Sequence, residues 1–356
     1  MQYGWAGSWF DQKVYGEVAL EYNGMFGKHS VTGLLLGNRN LRLISNYNGY
    51  ADQGIVGRAT YDYDKRYFAE LNAGYNGSEN FRKGKRYALF PSFAFGWLAT
   101  NEKFFSKSPL SGVLTHLKLR GSIGWVGNDK AGDISSSGYQ SKRFIYLQQY
   151  YNGGGATFGS GDSWFNGIYQ GNIANNDVTW ETGRKINVGL ESSFFNGFLS
   201  LNVDVFSEKR KNILTDISSI LPEYVGKSFM PANIGVVTNK GVELEFTHRN
   251  KIGKDFNYTI KGNYSYTRNK VIKKADPAGM LPYQREEGYS IGTPLLYKFI
   301  GVFQSYDDIY SSPSQMGLPG NTEVKPGDSK YQDFNGDGVI DINDAYRQGY
   351  STIPEI

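Results

Sequence analysis

Apolar and polar side chains alternate along much of this chain with a period of two, the spacing a β-strand imposes by sending successive residues to opposite faces. The stretch 57–76 is the clearest case. Tyr67, Ala69, Leu71, Ala73 and Tyr75 share one parity, while Glu70, Asn72 and Asn76 share the other with Phe68 and Gly74. The polar residues 62–66 between its two arms predict a β-hairpin turn. The same pattern predicts further strands over 14–22, 28–37, 86–100, 116–126, 179–194, 198–212, 238–249, 256–270 and 295–304, about eleven in all with the hairpin. In 116–126, Leu117, Leu119, Ile123 and Trp125 oppose Lys118, Arg120 and Ser122; in 179–194, Trp180, Ile186, Val188, Leu190 and Phe194 oppose Lys185, Asn187 and Glu191. Asn23-Gly24 and Asn196-Gly197 read as tight turns.

A soluble sandwich shows the same alternation. What tips the balance is recurrence in arms of about ten residues with aromatics ending the apolar faces, the habit of transmembrane β-barrel strands. Tyr, Phe and Trp make up 15% of the chain and glycine occurs 45 times. The expected fold is therefore all-β, an antiparallel transmembrane β-barrel. No run approaches 18 apolar residues, which excludes a transmembrane helix. Arg184 falls on the apolar parity. A lipid-facing arginine costs roughly 2–4 kcal/mol at the midplane and close to nothing at the interface, so it belongs near a strand end. The net charge of +4 is spread without a basic block, giving no case for nucleic acid. Zero cysteines rule out thiolate metal sites and disulfides. The N-terminus carries neither a charged n-region nor an apolar h-region, so either the protein is not exported or its true start lies upstream.

Between 127 and 178 the alternation disappears into Gly, Ser, Asn, Tyr and Gln, as expected of a long extracellular loop on a barrel. Its aromatics Tyr150, Tyr151, Trp164, Phe165 and Tyr169 are candidates for stacking on sugar rings, with ordinary loop packing as the alternative. A second extracellular loop is expected over 305–356. Within it Asp333, Asn335, Asp337, Asp341 and Asp344 occupy positions 1, 3, 5, 9 and 12 of an EF-hand-type loop, with Gly338 at 6 and the Val339 carbonyl at 7. These oxygen donors suit Ca²⁺; Asp344 stands where such loops carry a bidentate Glu, and a solvated turn-rich loop is the alternative. Gly288-Tyr289-Ser290-Ile291-Gly292 matches the nucleophile-elbow pattern but lacks the preceding apolar strand and following helix, so no enzyme is expected. His29, His116 and His248 lie on separate arms without metal spacing.

Several collinear motifs carry a resemblance. Leu117 to Ser122 with Gly127-Asn128-Asp129, Val178-Thr179-Trp180-Glu181-Thr182 with Lys185 to Leu190, Asn233-Ile234-Gly235 with Thr238 to Glu243, and Asp333 to Gly338 resemble the barrel of SusC/RagA-type TonB-dependent outer-membrane transporters. The resemblance spans nearly the whole chain. It implies a barrel of roughly 22 strands with a plugged lumen, residence in the outer membrane among its lipids, import of glycans or peptides, a SusD-like surface lipoprotein as lid and energy from the TonB complex. The family's plug domain is absent from 1–356, so the chain is expected to be a fragment with about half a barrel. The competing reading is a secreted or surface β-rich protein that holds glycans with Ca²⁺.

Overall fold

The computed structural model describes residues 10–44, 49–129, 143–159, 163–221, 224 and 226–352. Ten long strands form one sheet: β1 (Asp11–Phe26), β2 (His29–Ile44), β3 (Tyr50–Tyr63), β4 (Tyr67–Ser78), β5 (Tyr87–Leu98), β6 (Leu114–Asn128), β11 (Glu181–Phe194), β12 (Leu199–Thr215), β13 (Ala232–Ile252) and β14 (Phe256–Lys273). Each pairs antiparallel with its neighbour in chain order, and only the four short strands β7 (Tyr150–Asn152), β8 (Ala156–Phe158), β9 (Ser163–Phe165) and β10 (Ile168–Gln170) interrupt the succession. The result is a partial barrel. Among the described residues β1 and β14 have one partner each, leaving two sheet edges.

The connections are asymmetric. At one end the chain turns within two to four residues at 27–28, 64–66, 195–198 and 253–255 and runs longer only at 99–113, through short helical turns; the other end carries the longest connection, the segment between β6 and β11. The 62–66 turn stands as read, with Asp64 and Lys65 at φ near 54°. Asn23-Gly24 does not turn. Both residues pair within β1, Asn23 opposite Thr32, and the chain reverses at Gly27, whose φ of 62° suits a residue without a Cβ. The arm expected over 295–304 also lies outside the large sheet, so the barrel sheet has ten strands rather than eleven. It breaks into β15 (Leu295–Leu296), paired with β18 (Tyr346–Arg347), and β16 (Phe299–Val302), paired with β17 (Ser329–Tyr331).

Register fixes two unlike faces. Leu71 stands opposite Phe93 and Ala59, Leu190 opposite Leu119 and Val203, and Val203 opposite Leu244, which in turn faces Tyr264. These side chains are open to the surroundings: Leu20 is 71% exposed, Leu71 58% and Val188 57%. A continuous apolar face of this extent has no place in water. On β14, Tyr258 and Tyr266 bracket it eight residues apart, about 27 Å along a strand, comparable with the ~25 Å apolar band of membrane barrels.

A small buried cluster forms where the longer connections meet. Phe81, Ile145, Val178, Trp180 and Met230 are all less than a tenth exposed. Trp180 does not face outward as strand parity suggests. It precedes the first pair of β11, its indole N–H donates to the Arg86 carbonyl at 2.9 Å, and its ring packs on Phe81 and Phe90.

Candidate lumen wall and loop sites

The second face of the sheet is lined with paired charges. Arg58 grips Glu70 at 3.1 Å, and Asn72 donates to the same carboxylate at 2.9 Å. Arg120 reaches from β6 across β11, donating from Nε to Glu191 at 2.8 Å and from Nη2 to Asp204 on β12 at 2.7 Å. Farther along, Arg210 pairs with Glu208 at 2.7 Å and Glu181 at 3.3 Å. Around Arg120 and Glu191, with Asn202, Glu243, Glu245, Lys261 and Asn263, opens a groove of about 560 Å³. Parity alone assigns Glu70, Arg120 and Glu191 to this wall. That Arg120 ties three strands together through Asp204 was not visible, because register joins them and a single-strand pattern carries no register.

The described residues 143–159 and 163–178 carry structure of their own. β7 pairs with β10 and β8 with β9, forming two small hairpin sheets. The first pairing sets Tyr151 opposite Tyr169 with ring centroids 5.8 Å apart, and on the second Trp164 donates its indole N–H to Asn166 at 3.0 Å. Tyr150, Trp164, Phe165 and Tyr169 are each more than half exposed, and Tyr151 is 43% exposed. The alternation was too short, three residues per strand, to be read.

The acidic loop is a knot of side-chain to main-chain bonds. Asp333 accepts the amides of Gly336 (2.6 Å) and Gly338 (2.8 Å), and Asn335 accepts that of Asp337 at 3.0 Å. Asp337 accepts the Val339 amide at 2.9 Å, while Asp341 accepts that of Asn343 at 2.7 Å. Asp344 is fully buried, taking the amides of Phe334 (2.7 Å), Asn335 and Asp341 (2.8 Å). Its place at the heart of the turn is that of a cap. The donors are of the hard-oxygen type that suits Ca²⁺. Yet they already bond to the chain, and among the described residues no three His, Asp or Glu converge as a metal site. The Gly338 amide, foremost among its hydrogen-bond donors, holds the Asp333 carboxyl below the usual Asp range. Burial, reinforced by Asp344 and its acidic neighbours, raises the Tyr283 phenol. Phe334 stacks on Tyr346 with centroids 4.3 Å apart, and Gln284 donates to the Ile342 and Ala345 carbonyls, so the knot is braced from behind.

Ser290 sits in a turn that Gly288 and Tyr289 pin to Val271 of β14, and its hydroxyl donates to the Asn269 carbonyl at 2.8 Å. The histidines divide between the faces: on the apolar parity His29 meets the Tyr61 hydroxyl at 2.8 Å and His248 that of Tyr258 at 3.1 Å, whereas His116 lies on the charged face 3.9 Å from Glu191.

The family model described as "TonB dependent receptor-like, beta-barrel" matches residues 2–352. TonB-dependent receptor P3 of Formosa agariphila is 29% identical over 302 residues, 82% of this chain and 28% of the relative. TonB-dependent receptor SusC of Bacteroides thetaiotaomicron is 28% identical over 302 residues, 82% of this chain and 27% of that protein. Among solved structures, the RagAB peptide importer in its closed-closed state superposes with a TM-score of 0.68 at 20% identity, over 97% of this chain and 39% of that one. The chain thus spans less than a third of the curated relatives it matches.

Proposed function

This chain belongs to the TonB-dependent receptor β-barrel family, and from that membership we propose that it forms part of the wall of an outer-membrane importer of glycans or peptides. The observation that carries the reading is the division of one ten-stranded sheet into an apolar face and a face of paired charges. Such a sheet rests with one side in lipid and the other on a polar lumen. Its edges β1 and β14 pair with further strands in the whole receptor, because unpaired backbone groups in lipid cost several kcal/mol each.

The resemblance to SusC/RagA-type transporters supports a surface lipoprotein of the SusD kind as partner, resting over the ends that carry the long connections, and the TonB complex as energy source. The exposed aromatics Tyr150, Trp164 and Tyr169 would meet cargo there. The test is uptake of labelled oligosaccharides and oligopeptides by cells carrying the intact receptor. Uptake of one class should require the receptor and cease when the proton gradient is collapsed. Uptake equal in cells lacking the receptor would reject the importer.

A further inference from the structure

Four adjacent strands carry a patch of cations on the apolar face. Arg184 of β11 stands opposite Lys209 of β12, and Lys240 of β13 stands opposite Arg268 of β14. Lys211 and Lys270 flank them, opposite Thr182 and Thr238. All six share the parity of Val188, Val205, Val242 and Tyr266, a paired row nearer the sheet centre. With strands about 4.8 Å apart, the patch is roughly 15 Å wide. All but Lys209 are exposed.

On this face β11 to β14 present no Asp or Glu, because every acidic residue of these four strands lies on the opposite parity. Arg184, Lys209, Lys211, Lys240 and Lys270 make no ion pair among the described residues. Like charges directly opposite across a ladder repel. The patch lies at the end bearing the long connections, level with Trp125, which stands opposite Arg184, and beyond Tyr264 and Tyr266, where an aromatic girdle meets the membrane surface. An anion in that layer would relieve the repulsion.

We propose that this patch binds the phosphate-bearing headgroups of anionic membrane lipids, seating this sector of the barrel in its leaflet. The proposal rests on the reading above that this face lies against lipid. Arginine and lysine at these positions lie on the apolar parity beyond that row, where their alkyl stems can stay against lipid while their charges reach headgroup level, the arrangement of snorkelling side chains. Each cation near an anionic surface adds to retention, so three removed together should weaken it by about a hundredfold.

The experiment uses the intact receptor, delipidated in detergent and offered phosphatidylglycerol or phosphatidylcholine, with retained lipid counted by native mass spectrometry. Wild type should hold phosphatidylglycerol selectively. Lys209→Gln/Lys240→Gln/Lys270→Gln should lose that selectivity, the matching Lys→Arg triple should keep it, and the opposite-face triple Lys118→Gln/Lys185→Gln/Lys261→Gln should also keep it. No preference in wild type, or full retention by the outer triple, would overturn the proposal, as would an acidic protein occupying the patch in place of lipid. The cysteine-free sequence permits a check on the underlying reading: a fluorophore on Val205→Cys should be quenched by brominated lipid. Quenching without anionic selectivity rejects the headgroup site alone, whereas no quenching rejects the lipid-facing assignment itself.

Discussion

Gly189 lies between Arg120 and its partner Asp204, opposite Arg120 on β6 and Asp204 on β12. A Cβ there would fall 2.7 Å from the Arg120 Cζ and 2.7 Å from Asp204 Oδ1, so Gly189→Ala must push the guanidinium aside. A charge-assisted hydrogen bond contributes about 1.5–3 kcal/mol when sheltered. Arg120 and Glu191 are 36% and 31% exposed, so water competes for that pair, whereas Asp204 is 15% exposed and its Oδ1 is buried without a partner among the described residues. Losing the Arg120–Asp204 bond should therefore cost about 2 kcal/mol. The measurement is a double-mutant cycle, by reversible guanidinium unfolding of the intact receptor in detergent, on Gly189→Ala, Arg120→Met and both together. If the glycine serves the bridge, its replacement should cost less than about 0.5 kcal/mol once Arg120 is gone. An unchanged cost in both backgrounds would show that Gly189 matters to the backbone alone and refute the reasoning.

Acid should open the segment 305–344 late. Asp308, held low first by Lys330 and then by the Gln304 amide, and Asp333, held low by the Gly338 amide, both have folded pKa values below the ordinary 3.8. Depressed carboxyls contribute stability that is present above their unfolded pKa and lost as pH falls through the folded one. Pepsin should spare the segment at pH 4.5 and cut it only below about pH 3.8; cleavage already at pH 4.5 would contradict these bonds. For the acidic loop, calorimetry should register Ca²⁺ binding at millimolar concentration and weaker than in sensor loops, since its oxygens are already bonded to amides, and Asp337→Ala should abolish it. Absence of calcium heat in wild type would leave the loop a self-satisfied turn.

Period and parity carried most of the sheet into view. The ten strands, the 62–66 and 196–197 turns and the division of Leu71 from Glu70 all follow from side chains alternating under one buried or lipid-facing surface. What alternation does not encode is where a strand stops. Asn23-Gly24 has turn chemistry, but β2 continues to pair across it as far as His29, and the ladder overrides the local preference. Residues 295–304 alternate too, yet they fold against 329–331 and 346–347, because partner choice is a long-range matter. Trp180 misled for the same reason: one residue outside the ladder, its ring is free to turn onto Phe81. In the acidic loop the spacing of Asp and Asn was legible, whereas the direction of each carboxylate depends on the main-chain amides of a fold not yet assembled.

The most direct test of the central claim exploits the lack of cysteines. Single cysteines placed at Leu71, Leu190, Val203 and Ile260, and at their neighbours Glu70, Glu191, Asn202 and Lys261, are exposed to a water-soluble thiol reagent in membranes containing the intact receptor. A barrel with this register should be modified at 70, 191, 202 and 261 and spared at 71, 190, 203 and 260. Equal modification at both sets would contradict the claim that this sheet separates lipid from a polar lumen.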